Sequence, residues 1–156
     1  MEPVIRITIR NYTIGVDMKH LLVTVVLLLS CSTVSVAGGY NYVEPAQFRQ
    51  WLESGKDMAI VDIQVPAEFQ KHHFKGAIET NAYPVKSQDD RHKLDSVLPT
   101  VSTAKNDVVV ICPRGGGGAK NTYDYLKEKG IDESRIYILK EGMQGWPYKE
   151  LAVSGK

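Results

Sequence analysis

From residue 40 onward the apolar positions switch between two spacings. Phe48, Trp51 and Leu52 lie three and four residues apart, which predicts a helix opened by Glu44-Pro45 and stopped by Ser54-Gly55-Lys56. Residues 58–63 form a short apolar run holding Asp62 near its end and read as a buried strand. Pro66 at a first-turn position predicts a short helix over 66–71, and residues 76–78 lead into another extended piece. Residues 87–98, rich in Asp, Lys and Arg, carry Leu94, Val97 and Leu98 as an apolar stripe and read as a helix closed by Pro99. Residues 108–111 are uninterruptedly apolar, as expected of a central parallel strand covered on both faces, and they deliver Cys112 to its end. A loop over 113–118 follows. Residues 119–129 then read as a helix with Ala119, Tyr123 and Leu126 inward and Gly130 as its stop. A last strand is expected over 135–139 and a closing turn or short helix over 142–146. Strands that alternate with helices argue for one α/β domain, residues 40–156, built on a mainly parallel sheet.

The first residues follow a different pattern. Met18-Lys19-His20 precedes the apolar run 21–29, broken by Thr24, and small and polar residues fill 30–39. This is the three-part layout of a secretory signal over 18–37. The run is too short for a membrane helix, which needs about 20 apolar residues. Two cleavage points compete: Ser35-Val36-Ala37 suits signal peptidase, whereas Leu28-Leu29-Ser30-Cys31 resembles a bacterial lipobox with Cys31 lipidated. Export, to a bacterial periplasm, is the expectation, with soluble export favoured and membrane contact only if Cys31 carries lipid. Residues 4–10 alternate weakly and would pass for a strand, but 1–17 stand upstream of the signal, and Met18 is expected to be the true start.

A content of 43% hydrophobic and 24% charged residues excludes disorder. Nineteen basic against 18 acidic residues leave a formal charge of +1, without the positive field that draws a chain to nucleic acid. The two cysteines, Cys31 and Cys112, form neither a disulfide framework nor a Cys-x-x-Cys pair. If Cys31 leaves with the signal, Cys112 is a lone thiol in an oxidising compartment.

Ligands of open α/β sheets bind beyond the carboxyl ends of the strands, which is where Cys112 stands. Four successive glycines, Gly115 to Gly118, let the backbone curl with its N–H groups inward, and the following helix aims its positive end at the same spot. Such a ring favours thiolate over thiol and makes Cys112 a nucleophile. The bland alternative is a buried, inert cysteine beside a flexible turn. Ordering four glycines is entropically costly, however, and is hard to justify unless the backbone must approach something closely. A phosphate-binding loop would need Lys followed by Ser or Thr after the last glycine, and the chain has Ala119-Lys120-Asn121.

Taken in order, three segments resemble the rhodanese-like sulfurtransferases. Val61-Asp62-Ile63-Gln64, Glu68-Phe69 and His73-Phe74-Lys75-Gly76-Ala77-Ile78 are similar to the family's first signature, residues 109–119 to its active-site segment, and residues 139–147, with Gly142, Gly145 and Trp146, to its closing segment. The resemblance implies a three-layer α/β domain with helices on both faces of the sheet. It also implies that Cys112 takes sulfur from a small anion such as thiosulfate or polysulfide, holds it as a persulfide within Pro113, Arg114, Gly115, Gly116, Gly117 and Gly118, and passes it to cyanide, a thiol or a protein acceptor. Asp62 takes a supporting role. No metal or organic cofactor is implied, and His72, His73 and His92 read as surface or structural residues. A non-catalytic sulfur or polysulfide carrier, or an interaction module, of the same fold is the alternative. Counting Cys112 as the first loop residue, the sixth is Gly117 where many members have Arg, and Gln64 also stands where Arg is usual. Arg114 either replaces the missing cation or is a solvated loop residue. A cysteine-dependent phosphatase would need Arg where this chain has Gly118.

Overall fold

The computed structural model describes residues 5–9, 12–16 and 39–155; the expected signal segment and Cys31 lie outside them. Strands β1 (Ile5–Ile9) and β2 (Tyr12–Val16) pair antiparallel, Ile7 opposite Ile14, within the first of two compact units, Met1–Gly38. The second unit, Gly39–Lys156, begins with β3 (Tyr42–Val43), α1 (Pro45–Glu53), β4 (Met58–Asp62), α2 (Pro66–Lys71), β5 (His73–Phe74) and β6 (Ile78–Glu79). It continues with α3 (Gln88–Lys93), α4 (Leu98–Thr103), β7 (Asp107–Ile111), α5 (Gly117–Glu128), β8 (Ile136–Leu139) and β9 (Ala152–Val153).

Five of these strands form one parallel sheet in the order β3-β8-β7-β4-β6. Its centre is β7, the continuous apolar run, because a strand with neighbours on both edges and layers on both faces must be apolar throughout. The period of two divides its side chains. Val108 and Val110 join Val61, Leu94, Val97, Val101, Tyr123 and Leu126 on one face, while Val109 and Ile111 join Ile60, Phe48, Phe74 and Trp146 on the other. Two cores on opposite sides of one sheet make the fold three-layered. The chain leaves β4 towards β6 on one side and later lays β7 and β8 on the other. The carboxyl ends of β4 and β7 therefore flank the topological switch point, where such sheets hold their sites.

The helix expected over 87–98 is instead three pieces. Ser87 caps α3, its hydroxyl accepting from the Asp90 N–H at 3.1 Å while the Asp90 carboxylate takes the Ser87 N–H. A 3-10 turn, Leu94–Val97, follows, and α4 then opens with Pro99 in its first turn. Pro99 begins a helix because a first-turn residue has no helical acceptor to lose. The tightened turn lets Leu94, Val97 and Val101 all reach the core. Arg135, expected within the last strand, lies in a 3-10 turn before it and donates to the carbonyls of Val101, Ala104 and Asn106. It thereby satisfies the free C-terminal end of α4.

The second core is aromatic. Trp146 is 1% exposed, meets Phe48, Phe74 and Tyr148 edge-to-face at 5.0–5.7 Å between ring centroids, and donates its indole N–H to the Tyr148 carbonyl at 2.7 Å. Trp146→Ala is expected to cost about 3–5 kcal/mol, read from urea unfolding, with Trp146→Phe costing clearly less.

Candidate active site

Cys112 continues the parity of Val108 and Val110, so its side chain packs with their core and is 2% exposed. Beyond it the chain turns sharply at Gly115, whose φ of +65° brings its N–H within 3.0 Å of the Cys112 Sγ. A side chain on Gly115 would stand 2.8 Å from the Glu141 nitrogen and the Leu139 carbonyl oxygen. The turn after β8 presses on the loop from that side. Met143 N–H donates to the Cys112 carbonyl and Gln144 N–H to that of Pro113, each at 2.9 Å. Gly142, with φ of +60°, leaves no room for a Cβ, which would fall 2.2 Å from the Cys112 carbonyl oxygen. This brace was not read from the sequence, although Gly142 within the closing segment was its available signal.

The loop is shorter than expected. Helix α5 starts at Gly117, so Gly117 and Gly118 form its first turn, and the loop proper is 113–116. The absence of a side chain at 118 permits close packing at that start: Gly118 is buried, and a Cβ there would sit 3.0 Å from the Tyr83 ring and 3.2 Å from Ile63. Gly117 is exposed and has open space around it. The four glycines thus do different things. Gly115 bends the chain, Gly118 permits close packing, and the start of α5 leaves the amides of Gly117, Gly118 and Ala119 without helical acceptors.

A cavity of about 50 Å³ is lined by Cys112, Arg114, Gly116, Gly117, Gly118 and Tyr83. That is space for roughly three to five water-sized spheres, enough for a small anion and far below the ~300 Å³ at which organic-cofactor pockets begin. Pro113, Gly115 and Asp62, also predicted as site residues, do not line it. Pro113 and Gly115 shape the loop from behind. Tyr83 was missed, since it lies in irregular chain after β6 and only the tertiary fold brings it over the cavity. Its hydroxyl accepts from Arg114 Nη2 at 3.1 Å, so Arg114 stands at the cavity's edge with one of its donors used.

At the end of the adjacent strand, Asp62 is fully buried. One carboxylate oxygen accepts from the Gln64 backbone N–H at 2.9 Å and the other from Gln64 Nε2 at 3.0 Å; Nε2 also donates to the His72 carbonyl. Burial raises the Asp62 pKa from 3.8 to about 6, the Gln64 hydrogen bonds opposing it. An amide in place of the usual guanidinium thus binds the carboxylate without neutralising it.

Residues 44–149 match the rhodanese-like domain family, and the chain belongs to that family. Among curated proteins it is similar to the tRNA uridine(34) hydroxylase of Buchnera aphidicola subsp. Schizaphis graminum, 28% identical over 105 residues. The match takes in 67% of this chain but 31% of that enzyme, so the chain spans about a third of the relative's length. Its fold is shared by a yeast protein tyrosine phosphatase of the rhodanese family, with a TM-score of 0.57, 14% identity, and 76% of this chain and 95% of that one covered. A thiosulfate sulfurtransferase from Pseudomonas aeruginosa has the same fold, with a TM-score of 0.55, 19% identity, and 75% of this chain and 20% of that one covered.

Two outcomes test the arrangement. Gly142→Ala is expected to lose about 1–3 kcal/mol from backbone conformation alone and more from the clash with Cys112, whereas Gly117→Ala stays within about 0.5 kcal/mol of the parent in urea unfolding. Because the Asp62 pKa is raised on folding, its contribution favours the fold fully below pH 3.8 and is lost as pH rises through about 6. The loss amounts to about 3 kcal/mol. Asp62→Asn should remove that component from the pH dependence of stability between pH 4 and 7.

Proposed function

We propose that the protein is a sulfurtransferase in which Cys112 carries sulfane sulfur. The Cys112 thiolate attacks the outer sulfur of thiosulfate; the sulfur–sulfur bond of the donor breaks and sulfite leaves with the bonding electron pair. The resulting persulfide is then attacked at its terminal sulfur by cyanide or a thiolate. Thiocyanate or a new persulfide departs, and the Cys112 thiolate returns. No net oxidant is consumed.

The observation that carries this reading is the Gly115 N–H 3.0 Å from Sγ in a cavity that exposes the sulfur to little beyond a small anion. An amide donor at that distance favours negative charge on sulfur, and the free amides at the start of α5 suit the terminal sulfur of a persulfide. Arg114 offers its remaining guanidinium donors to the sulfonate end of thiosulfate. Phosphate chemistry is disfavoured by Gly118, which stands where an arginine would be required and where a Cβ would already press on the Tyr83 ring and Ile63.

Incubation with thiosulfate or polysulfide is expected to add about 32 Da, one cyanide-labile sulfur, by intact-mass spectrometry, and Cys112→Ser should abolish the addition. An adduct that persists in Cys112→Ser would end the proposal. Saturable thiocyanate formation would support an enzyme, while a persulfide without turnover would mark a carrier.

A further inference from the structure

A second cavity, of about 210 Å³, opens at the same edge of the sheet and has no task in sulfur transfer. Its lining includes Gln64, Glu68, Lys71, His72, Met143 and Lys149. Among the described residues, neither Lys71 nor Lys149 is within ion-pair distance of an acidic group, and Glu68 has no cationic partner. The cavity therefore presents two unpaired ammonium groups and an imidazole together with one unpaired carboxylate. A dianion would meet Glu68 and a dication would meet the lysines, so the charge pattern suits a molecule bearing one charge of each sign.

Gln64 adds direction. Both of its Nε2 hydrogens are spent, on Asp62 and on the His72 carbonyl, which fixes the amide orientation and leaves Oε1 as an acceptor without a partner among the described residues. Gln64 is 2% exposed overall, yet its Oε1 is not one of the buried unpartnered atoms, so this oxygen is the part of the side chain that reaches solvent at the cavity and can take a donor there. We propose that this cavity binds the head group of a free α-amino acid. The carboxylate lies towards Lys71, Lys149 and His72, and the ammonium lies towards Glu68 and Gln64 Oε1. The volume is several times that of the Cys112 cavity and below that of an organic-cofactor pocket, as a small amino acid requires. Met143 and Gln144, on one wall, donate their N–H groups to the Cys112 and Pro113 carbonyls, so an occupant leans on the backbone strip that braces the reactive loop.

The test is an amide-resolved NMR titration of the whole protein with L-serine, glycolate and ethanolamine, which carry both charges, the carboxylate alone and the ammonium alone. L-Serine is expected to shift the amides of residues 64, 68, 71, 72, 143, 144 and 149 and to bind roughly tenfold or more tightly than either fragment. Lys71→Ala/Lys149→Ala and Glu68→Gln should each weaken L-serine binding by roughly tenfold or more, with the remaining amide spectrum unchanged. Glycolate binding as tightly as L-serine would reduce the site to a simple anion pocket and overturn the proposal. No shift at these residues, or equal affinity in the double variant, would overturn it too. None of these readouts depends on whether Cys112 forms a persulfide.

Discussion

Everything at the Cys112 end of the sheet depends on two stretches of backbone lying against each other with no side chain between them. The turn after β8 reaches the cysteine loop at Gly142 and Gly115, and both positions are in the left-handed region with no space for a Cβ. The contact is closed by the amides of Met143 and Gln144 on the carbonyls of Cys112 and Pro113. It follows from register: Val110 of β7 stands beside Ile138 of β8, so the chain leaving β8 emerges level with the chain leaving β7. A slip between those strands would displace the brace, and the Gly115 N–H would no longer point at Sγ. Strand register, together with the bend at Gly115, is therefore what aims the donor.

Apart from the Arg114 guanidinium at the cavity's edge, the positive charge around the sulfur is partial charge. Amides at a bend and at the first turn of α5 are held by the fold, need no reorganisation, and stay positive at any pH. A lysine or histidine there would add a full charge but also a titration. Asp62 shows how the same end of the sheet handles the opposite sign. Its oxygens are both taken up by Gln64, in a buried spot that does not line the cysteine cavity, so the neighbouring strand contributes a carboxylate without presenting it to the Cys112 cavity. The cost appears in stability, because burial without a cation favours the neutral acid.

Most strands and helices could be read from spacing alone, because each long element satisfies one period: α1 through Phe48, Trp51 and Leu52, β7 through its unbroken apolar run. What spacing could not show was where helices start and stop when the local residues permit several answers. Pro99 is compatible with ending a helix or opening one, and the choice was made by the core's demand for Leu94, Val97 and Val101 on one side. Gly117 and Gly118 favour a loop by propensity, yet both form the first turn of α5, where Gly118 packs closely on Tyr83. Cys112 and its glycines were legible because they are contiguous. Tyr83 and the Gly142 brace were not, since their roles exist only once distant segments meet.

The position of the cation at the cavity follows from this packing. Gly118 lacks a side chain because Tyr83 occupies the space, whereas Gly117 lacks one with open space beside it, so nothing in the fold forbids an arginine there. The guanidinium that does line the cavity belongs to Arg114, on the opposite shoulder of the loop, and the Tyr83 hydroxyl holds one of its nitrogens. Tyr83 thus both closes the cavity against Gly118 and anchors the charge at its edge. Under the sulfur-transfer proposal, a donor's anionic tail is gripped from the β6 side of the pocket, and its outer sulfur is turned towards Cys112 and the amides of α5. On that proposal, moving the cation to position 117 would reverse the approach without altering the cradle, and the loop would separate the stabilisation of sulfur charge, built into backbone, from the choice of donor, resting on one side chain.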